Sequence, residues 1–200
     1  MAYFVLIKKC TDIWDNNISF LFQDEFKRAI SVLEDAILAT DLAVYFRRRE
    51  ETFNLLKSKS LDWASEKQRS LLRGMMMTAC DLAAITKPWE IQKKVARLVS
   101  AEFFYQGDLE KKHLKIQPID MMNREKIDRL PAMQVDFIDS ICLPVYTAFS
   151  NLSDSLKPLC EGCLMNKKEW ERLAEVQSEK QRLAEEAERR EAEKRGGKKK

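Results

Sequence analysis

Asp81 is the residue of this chain whose chemistry most needs explaining. It interrupts the run Met75-Met-Met-Thr-Ala-Cys-Asp-Leu-Ala-Ala-Ile-Thr-Lys-Pro-Trp89, otherwise apolar over most of its length. A lone ionised carboxylate is costly to bury without a partner. The pattern therefore predicts a metal ion or a helix N-terminus beside it. Two glutamines raise a similar question. Gln92 shares a helical face with Val95 or Ala96, Val99 and Phe103. Gln134 shares one with Phe137, Ile138, Ile141 and Val145. An amide on an apolar stripe must find partners for both its oxygen and its NH2 group, and Gln134 has an aromatic ring one turn further on.

The other reactive side chains are less promising. His113 is the only histidine, and with no obvious partner it makes neither a metal site nor a nucleophile–base pair; it reads as a surface residue. Cys160 and Cys163 form one CxxC with no second pair, short of the four ligands of a structural zinc. Three adjacent methionines, Met75 to Met77, read as irregular core filling.

The elements that must position these residues are helical. Phe26, Ile30, Leu33, Ile37 and Leu42 recur at three- and four-residue steps from Asp24, a candidate N-cap, and the pattern continues through Thr40-Asp41. The bland reading of that polar pair is a threonine bonded back to its own helix and an exposed aspartate. The charge run Arg47 to Glu51 reads as a solvated face, and Phe53, Leu55 and Leu56 resume the core. Ser58 to Ser60 is a turn. Asp62 or Ser65 caps the helix that leads into the Asp81 run. Pro88 fits the first turn of the next helix, which Gln106-Gly-Asp108 ends. Residues 108–130 read as a polar loop. Pro131 opens another helix, and Pro144 should kink or strain its later part. Asn151 to Ser155 is a turn. From Met165 the chain reads as a charged helix with a thin seam of Trp170, Leu173, Val176, Leu183, Ala184 and Ala187, ending in a basic tail. Residues 1–22 show no clean period.

Composition narrows the class. Of 200 residues, 45% are hydrophobic and 34% charged, with five glycines and five prolines. This is the profile of a helical chain forming one domain or part of one. The net charge of +3 is small and evenly interleaved, which argues against a nucleic-acid binder. No apolar run reaches the roughly 18 residues of a membrane span, and the first residues lack a signal-peptide layout. Five scattered cysteines suit reduced thiols better than a disulfide framework. The expected location is cytoplasmic, with contact of the basic tail with a membrane surface left open.

Several runs, in order, carry a resemblance. Ala36-Ile-Leu-Ala-Thr-Asp-Leu-Ala43, Met77-Thr-Ala-Cys-Asp-Leu82, Ile85-Thr-Lys-Pro-Trp89, Glu102-Phe-Phe-Tyr-Gln-Gly-Asp108, Met122-Asn-Arg-Glu125 and Met133-Gln-Val-Asp-Phe-Ile-Asp139 closely resemble the catalytic domain of class I 3′,5′-cyclic nucleotide phosphodiesterases. The likeness is to the branch of cyclic-GMP-specific, photoreceptor and dual-specificity enzymes, over roughly residues 23–175. It implies an all-α fold, here the C-terminal part of a multi-helix catalytic domain, followed by a charged helical tail over 176–200. It also implies hydrolysis of cyclic GMP, with cyclic AMP as a further substrate, by a hydroxide activated at two divalent metals, usually zinc and magnesium. The resemblance makes Asp81 a metal ligand, Gln134 the purine-binding glutamine, Phe137 the ring that stacks on the base, and Gln92 the helper that orients Gln134. Val99 and Phe103 match pocket-wall positions, and Leu42, Ile85, Met133, Ala84 and Met121 map near the pocket.

The sequence also departs from the family. The other metal ligands, two histidines and an aspartate, and the general-acid histidine belong to upstream motifs that these 200 residues do not contain. The first 22 residues resemble nothing recognised. The expectation is a nucleotide-binding half that does not hydrolyse by itself and exposes apolar helix faces. The alternative is a non-catalytic helical module that pairs with, or modulates, a full-length phosphodiesterase. Homodimerisation is compatible with either.

Overall fold

A computed structural model describes residues 23–58 and 61–197. The expectation for residues 1–22 lies outside these. The described residues are helical, with no strand among them. They divide into two compact units that meet in sequence at Leu82–Ala83.

The first unit holds α1 (Gln23–Leu38), α2 (Leu42–Ser58) and α3 (Glu66–Asp81). Asp24 is not the N-cap but lies in the first turn of α1 with Glu25, where negative charge complements the helix dipole. The predicted continuous helix through Asp41 is broken there. The Thr40 hydroxyl donates to the Ile37 carbonyl at 2.8 Å, and Asp41 Oδ1 accepts from the Ala43 amide at 2.8 Å. Thr40 thus closes α1 and Asp41 caps α2, as short polar side chains do at helix ends. Asp41 is exposed, in line with the bland reading of the pair. Ser65 caps α3, its hydroxyl accepting from the Gln68 amide. Gln68 Oε1 reaches back to the Asp62 amide at 2.8 Å and so ties the preceding turn to the helix.

Tyr45, Thr52 and Leu56 of α2 and Leu71, Leu72, Met75 and Thr78 of α3 make this unit's core with Ala39. Thr78 pins α3 to the α1–α2 junction by donating to the Ala39 carbonyl at 3.1 Å. Only the first of the three methionines is core: Met75 is buried and Met76 exposed.

The second unit holds a short 3-10 turn, Ala83–Thr86, then α4 (Trp89–Leu109), α5 (Leu130–Phe137), α6 (Leu143–Leu152) and α7 (Lys157–Gly197). α4 does not end at Gly107. It runs on and finishes in a π-helical turn, Glu110–Leu114, closed by Lys115 in the left-handed conformation at φ 57°. Gly107 is a packing residue: a Cβ there would lie 2.0 Å from the Met122 carbonyl oxygen. The segment expected to be a loop contains the 3-10 turns Asp120–Met122 and Arg124–Arg129. Ion pairs Arg124–Asp108 and Lys111–Glu125 stitch it to the end of α4.

Pro131 sits in the first turn of α5, as expected. The strain predicted at Pro144 takes the form of a π-helical turn, Ile138–Cys142, between α5 and α6. Pro144 follows that turn directly, near the start of α6, and the wider π-helical turn is where the continuous helix accommodates a residue with no N–H to give. α7 begins at Lys157, earlier than the charge pattern suggested, and has no break at Met165. Its first half packs on the rest of the unit through Cys163, Asn166 and Trp170, all buried. From 178 to 191 it is largely exposed and held by Arg–Glu pairs such as Arg182 with Glu179 and Glu186.

Candidate functional site

α7 positions the first candidate. Gly162, Asn166 and Trp170 lie at i, i+4 and i+8, one stripe of a helix. At Gly162 the helix comes so close to the turn before α4 that a Cβ would sit 2.4 Å from the Thr86 carbonyl oxygen. One turn on, Asn166 Nδ2 donates to the carbonyls of Ile85 and Lys87, each at 2.7 Å. A further turn on, Trp170 Nε1 donates to Gln92 Oε1 at 3.0 Å. Gln92, Asn166 and Trp170 are each at most 3% exposed. Trp89 completes the contact, edge-to-face on Trp170 with ring centroids 5.0 Å apart.

The partner that Gln92 required is therefore an indole. An indole N–H only donates, so the Gln92 atom that faces it must be the amide oxygen. The NH2 group is the end left for another acceptor. Gln92 lies in the first turn of α4, its own amide N–H bonded to the Pro88 carbonyl at 3.1 Å.

Gln134 and Phe137 lie near the C-terminal end of α5, on adjacent turns of one helix, with Met133 beside them; all three are half-buried. Lys167 of α7 pairs with Asp139 at 2.7 Å and fastens the π-helical turn that follows Phe137. The Asp139 carboxylate pushes the Lys167 ammonium above the usual lysine range.

The predicted stripe of α4 is displaced. Its buried face is Gln92, Ala96, Ser100, Phe104 and Gly107. Val99 is exposed and Phe103 half-buried. The buried face is marked by small residues where another backbone comes close, which a search for large apolar residues misses. Ser100 satisfies its hydroxyl by donating to the Ala96 carbonyl at 2.7 Å. Ile85 is buried, and Ala84 half-buried, in the turn that Asn166 holds.

Asp81 and Leu42 belong to the first unit. Leu42 is half-buried at the start of α2. Asp81 is the last residue of α3 and is exposed. The expectation that burial forces a partner on Asp81 is thus corrected: the apolar run winds into a helix end and leaves the carboxylate in water. Among the described residues no lysine or arginine pairs with it, and no group of three or more His, Cys, Asp or Glu could hold a metal ion. The donor set described here does not fit a metal shell. The four described cysteines are free thiols. Burial pushes the Cys163 thiol up to about 12 and the Cys142 thiol higher still, so neither is a reactive nucleophile.

The residues missed in the sequence are Asn166 and Gly162, with Trp170 read only as part of a seam. A lone glycine and a lone amide in a charged helix were the available signals.

The described residues are thus helical, with Gln92 held by the Trp170 indole and Gln134 and Phe137 on adjacent turns of α5. Residues 2–163 match the family described as 3'5'-cyclic nucleotide phosphodiesterase. The dual 3',5'-cyclic-AMP and -GMP phosphodiesterase 11 of Drosophila melanogaster is 60% identical over 156 residues, covering 78% of this chain and 11% of that protein. The cGMP-specific 3',5'-cyclic phosphodiesterase of Drosophila pseudoobscura pseudoobscura is 47% identical over 171 residues, 84% of this chain and 15% of that protein. The protein of that name in Drosophila melanogaster matches equally. The chain belongs to the class I cyclic nucleotide phosphodiesterase family and represents part of its all-α catalytic domain. It spans about one-ninth to one-seventh of the length of these relatives.

Proposed function

We propose that this chain is the purine-recognising part of a phosphodiesterase that opens the 3′ phosphoester of cyclic GMP, with cyclic AMP as a further substrate, to give the 5′-monophosphate. The observation that carries the reading is the buried Trp170–Gln92 hydrogen bond. With its oxygen held by the indole, Gln92 offers only its NH2 to Gln134. Gln134 then keeps its own NH2 for the purine, which matches the carbonyl of guanine. Phe137 stacks on the base, and Val99, Phe103, Ile85 and Met133 contribute to the pocket. Asp81 is one metal ligand. Zinc and magnesium are the metals the resemblance implies, and among the described residues no group of three or more His, Cys, Asp or Glu lies together to bind them. On this reading the chain does not hydrolyse the nucleotide by itself. A cytoplasmic location, argued from its reduced thiols, goes with this reading.

Equilibrium dialysis against cyclic GMP and cyclic AMP tests the proposal. Phe137→Ala should weaken both nucleotides by about 2- to 13-fold, the equivalent of an aromatic pair worth about 0.5–1.5 kcal/mol. Gln134→Ala should weaken cyclic GMP more than cyclic AMP. Binding untouched by both variants would contradict the assignment.

A second reading is a non-catalytic module that pairs with a full-length phosphodiesterase. It is favoured by Ile91, Leu98 and Tyr105, exposed on α4 at seven-residue spacing. Co-purification with a full-length subunit, lost on Leu98→Glu, would support it; a monomeric chain that ignores that subunit would not.

A further inference from the structure

We propose that Asn166 is the positioning residue for Gln92. The inference rests on the purine-recognition reading only for its consequence at the nucleotide. The geometry stands without it.

Ile85 lies in the turn Ala83–Thr86 and Lys87 just after it, at a helix end where carbonyls lack partners within the helix. Asn166 spends both N–H bonds of its amide on the carbonyls of Ile85 and Lys87, at 2.7 Å each. It is 2% exposed and lies 81 and 79 residues away in sequence from the groups it holds. Pro88 follows directly, with its carbonyl accepting from the amides of Ile91 at 2.9 Å and Gln92 at 3.1 Å. Fixing Ile85 and Lys87 therefore fixes the first turn of α4. The Gln92 side chain leaves that turn toward Trp170, which stands one helical turn beyond Asn166 on the same stripe of α7. The contact at Gly162 allows α7 no slack against Thr86. Two points on α7 thus grip one short segment. Trp170 chooses which end of the Gln92 amide faces it, and Asn166 sets where that amide stands.

Asn166→Leu keeps the branched shape, with slightly greater bulk, and removes both donors. Asn166→Ser, smaller and with one donor, serves if the first variant does not fold. Val145→Ala, a cavity in the same core at a site of 0% exposure, controls for loss of stability alone. The spectroscopic readout is the Trp170 indole N–H resonance of the full chain, assigned by Trp170→Phe. It should move toward the position of a free indole in the Asn166 variants and stay in Val145→Ala. In dialysis, the preference for cyclic GMP over cyclic AMP should shrink by about fivefold, the loss of one net hydrogen bond. An indole resonance unmoved in both Asn166 variants, or moved equally by Val145→Ala, would overturn the proposal. A wild-type chain that binds neither nucleotide would instead overturn the purine-recognition reading, and the indole resonance would still decide the role of Asn166.

Discussion

A carboxylate at the C-terminal end of a helix faces the negative pole of the helix dipole, which costs about 0.3–1 kcal/mol at an exposed site. Asp81 occupies such a position, exposed and without a cationic partner among the described residues. Stability does not explain it. Asp81→Asn should raise the free energy of unfolding by about 0.3–1 kcal/mol in urea titration; a loss of stability would show that the carboxylate has a structural partner. Gln92 is the opposite case, a buried amide whose oxygen has its donor. Trp170→Phe leaves its amide oxygen without a donor at 3% exposure. It should cost about 1–3 kcal/mol, the usual penalty for a buried acceptor left unmatched. That Gln92 needed a partner was legible from its place among apolar residues. The partner was not, because periodicity assigns a face and Trp170 is 78 residues away.

Between elements, two glycines set how closely backbones approach. Gly107 would gain from alanine in helix propensity by about 0.5–1 kcal/mol. A Cβ at 2.0 Å from the Met122 carbonyl oxygen outweighs that gain. Gly107→Ala should destabilise the protein by about 1–3 kcal/mol, read from thermal melting. A second effect belongs to the start of α3. Arg73 and Arg69 hold the Glu66 carboxyl at about 2, below its ordinary 4.5. A lowered value contributes stability that is complete above about pH 4.5 and is lost as pH falls toward about 2. The melting difference between wild type and Glu66→Gln should therefore be constant near neutrality and vanish across that acid range. At this scale the sequence was informative about helix existence and weaker on boundaries. Pro131 and Pro144 marked the start of α5 and the irregular turn before α6. Gly107, read as a stop, proved to be a close contact, since one residue type serves both purposes. Asp41, read as lying within a helix, proved to cap the next, because its hydrogen bond to Ala43 is shorter in range than any periodicity.

In the whole chain, the second unit carries Gln92, Gln134 and Phe137, while Asp81 ends the first. The family and the all-α class were legible because several long motifs occur in order. The geometry of the site was less so, since it depends on a stripe of α7 that looks like solvated surface until it is packed. The central claim is that these 200 residues recognise the nucleotide without holding the metals that cleave it. Phosphorus NMR of cyclic GMP mixed with the purified chain, zinc and magnesium reads both halves of that claim at once. The account predicts a cyclic GMP resonance that shifts or broadens saturably with protein, less so with Gln134→Ala, and no signal from the 5′-monophosphate. A growing 5′-monophosphate signal, or a cyclic GMP resonance indifferent to the protein, would contradict it.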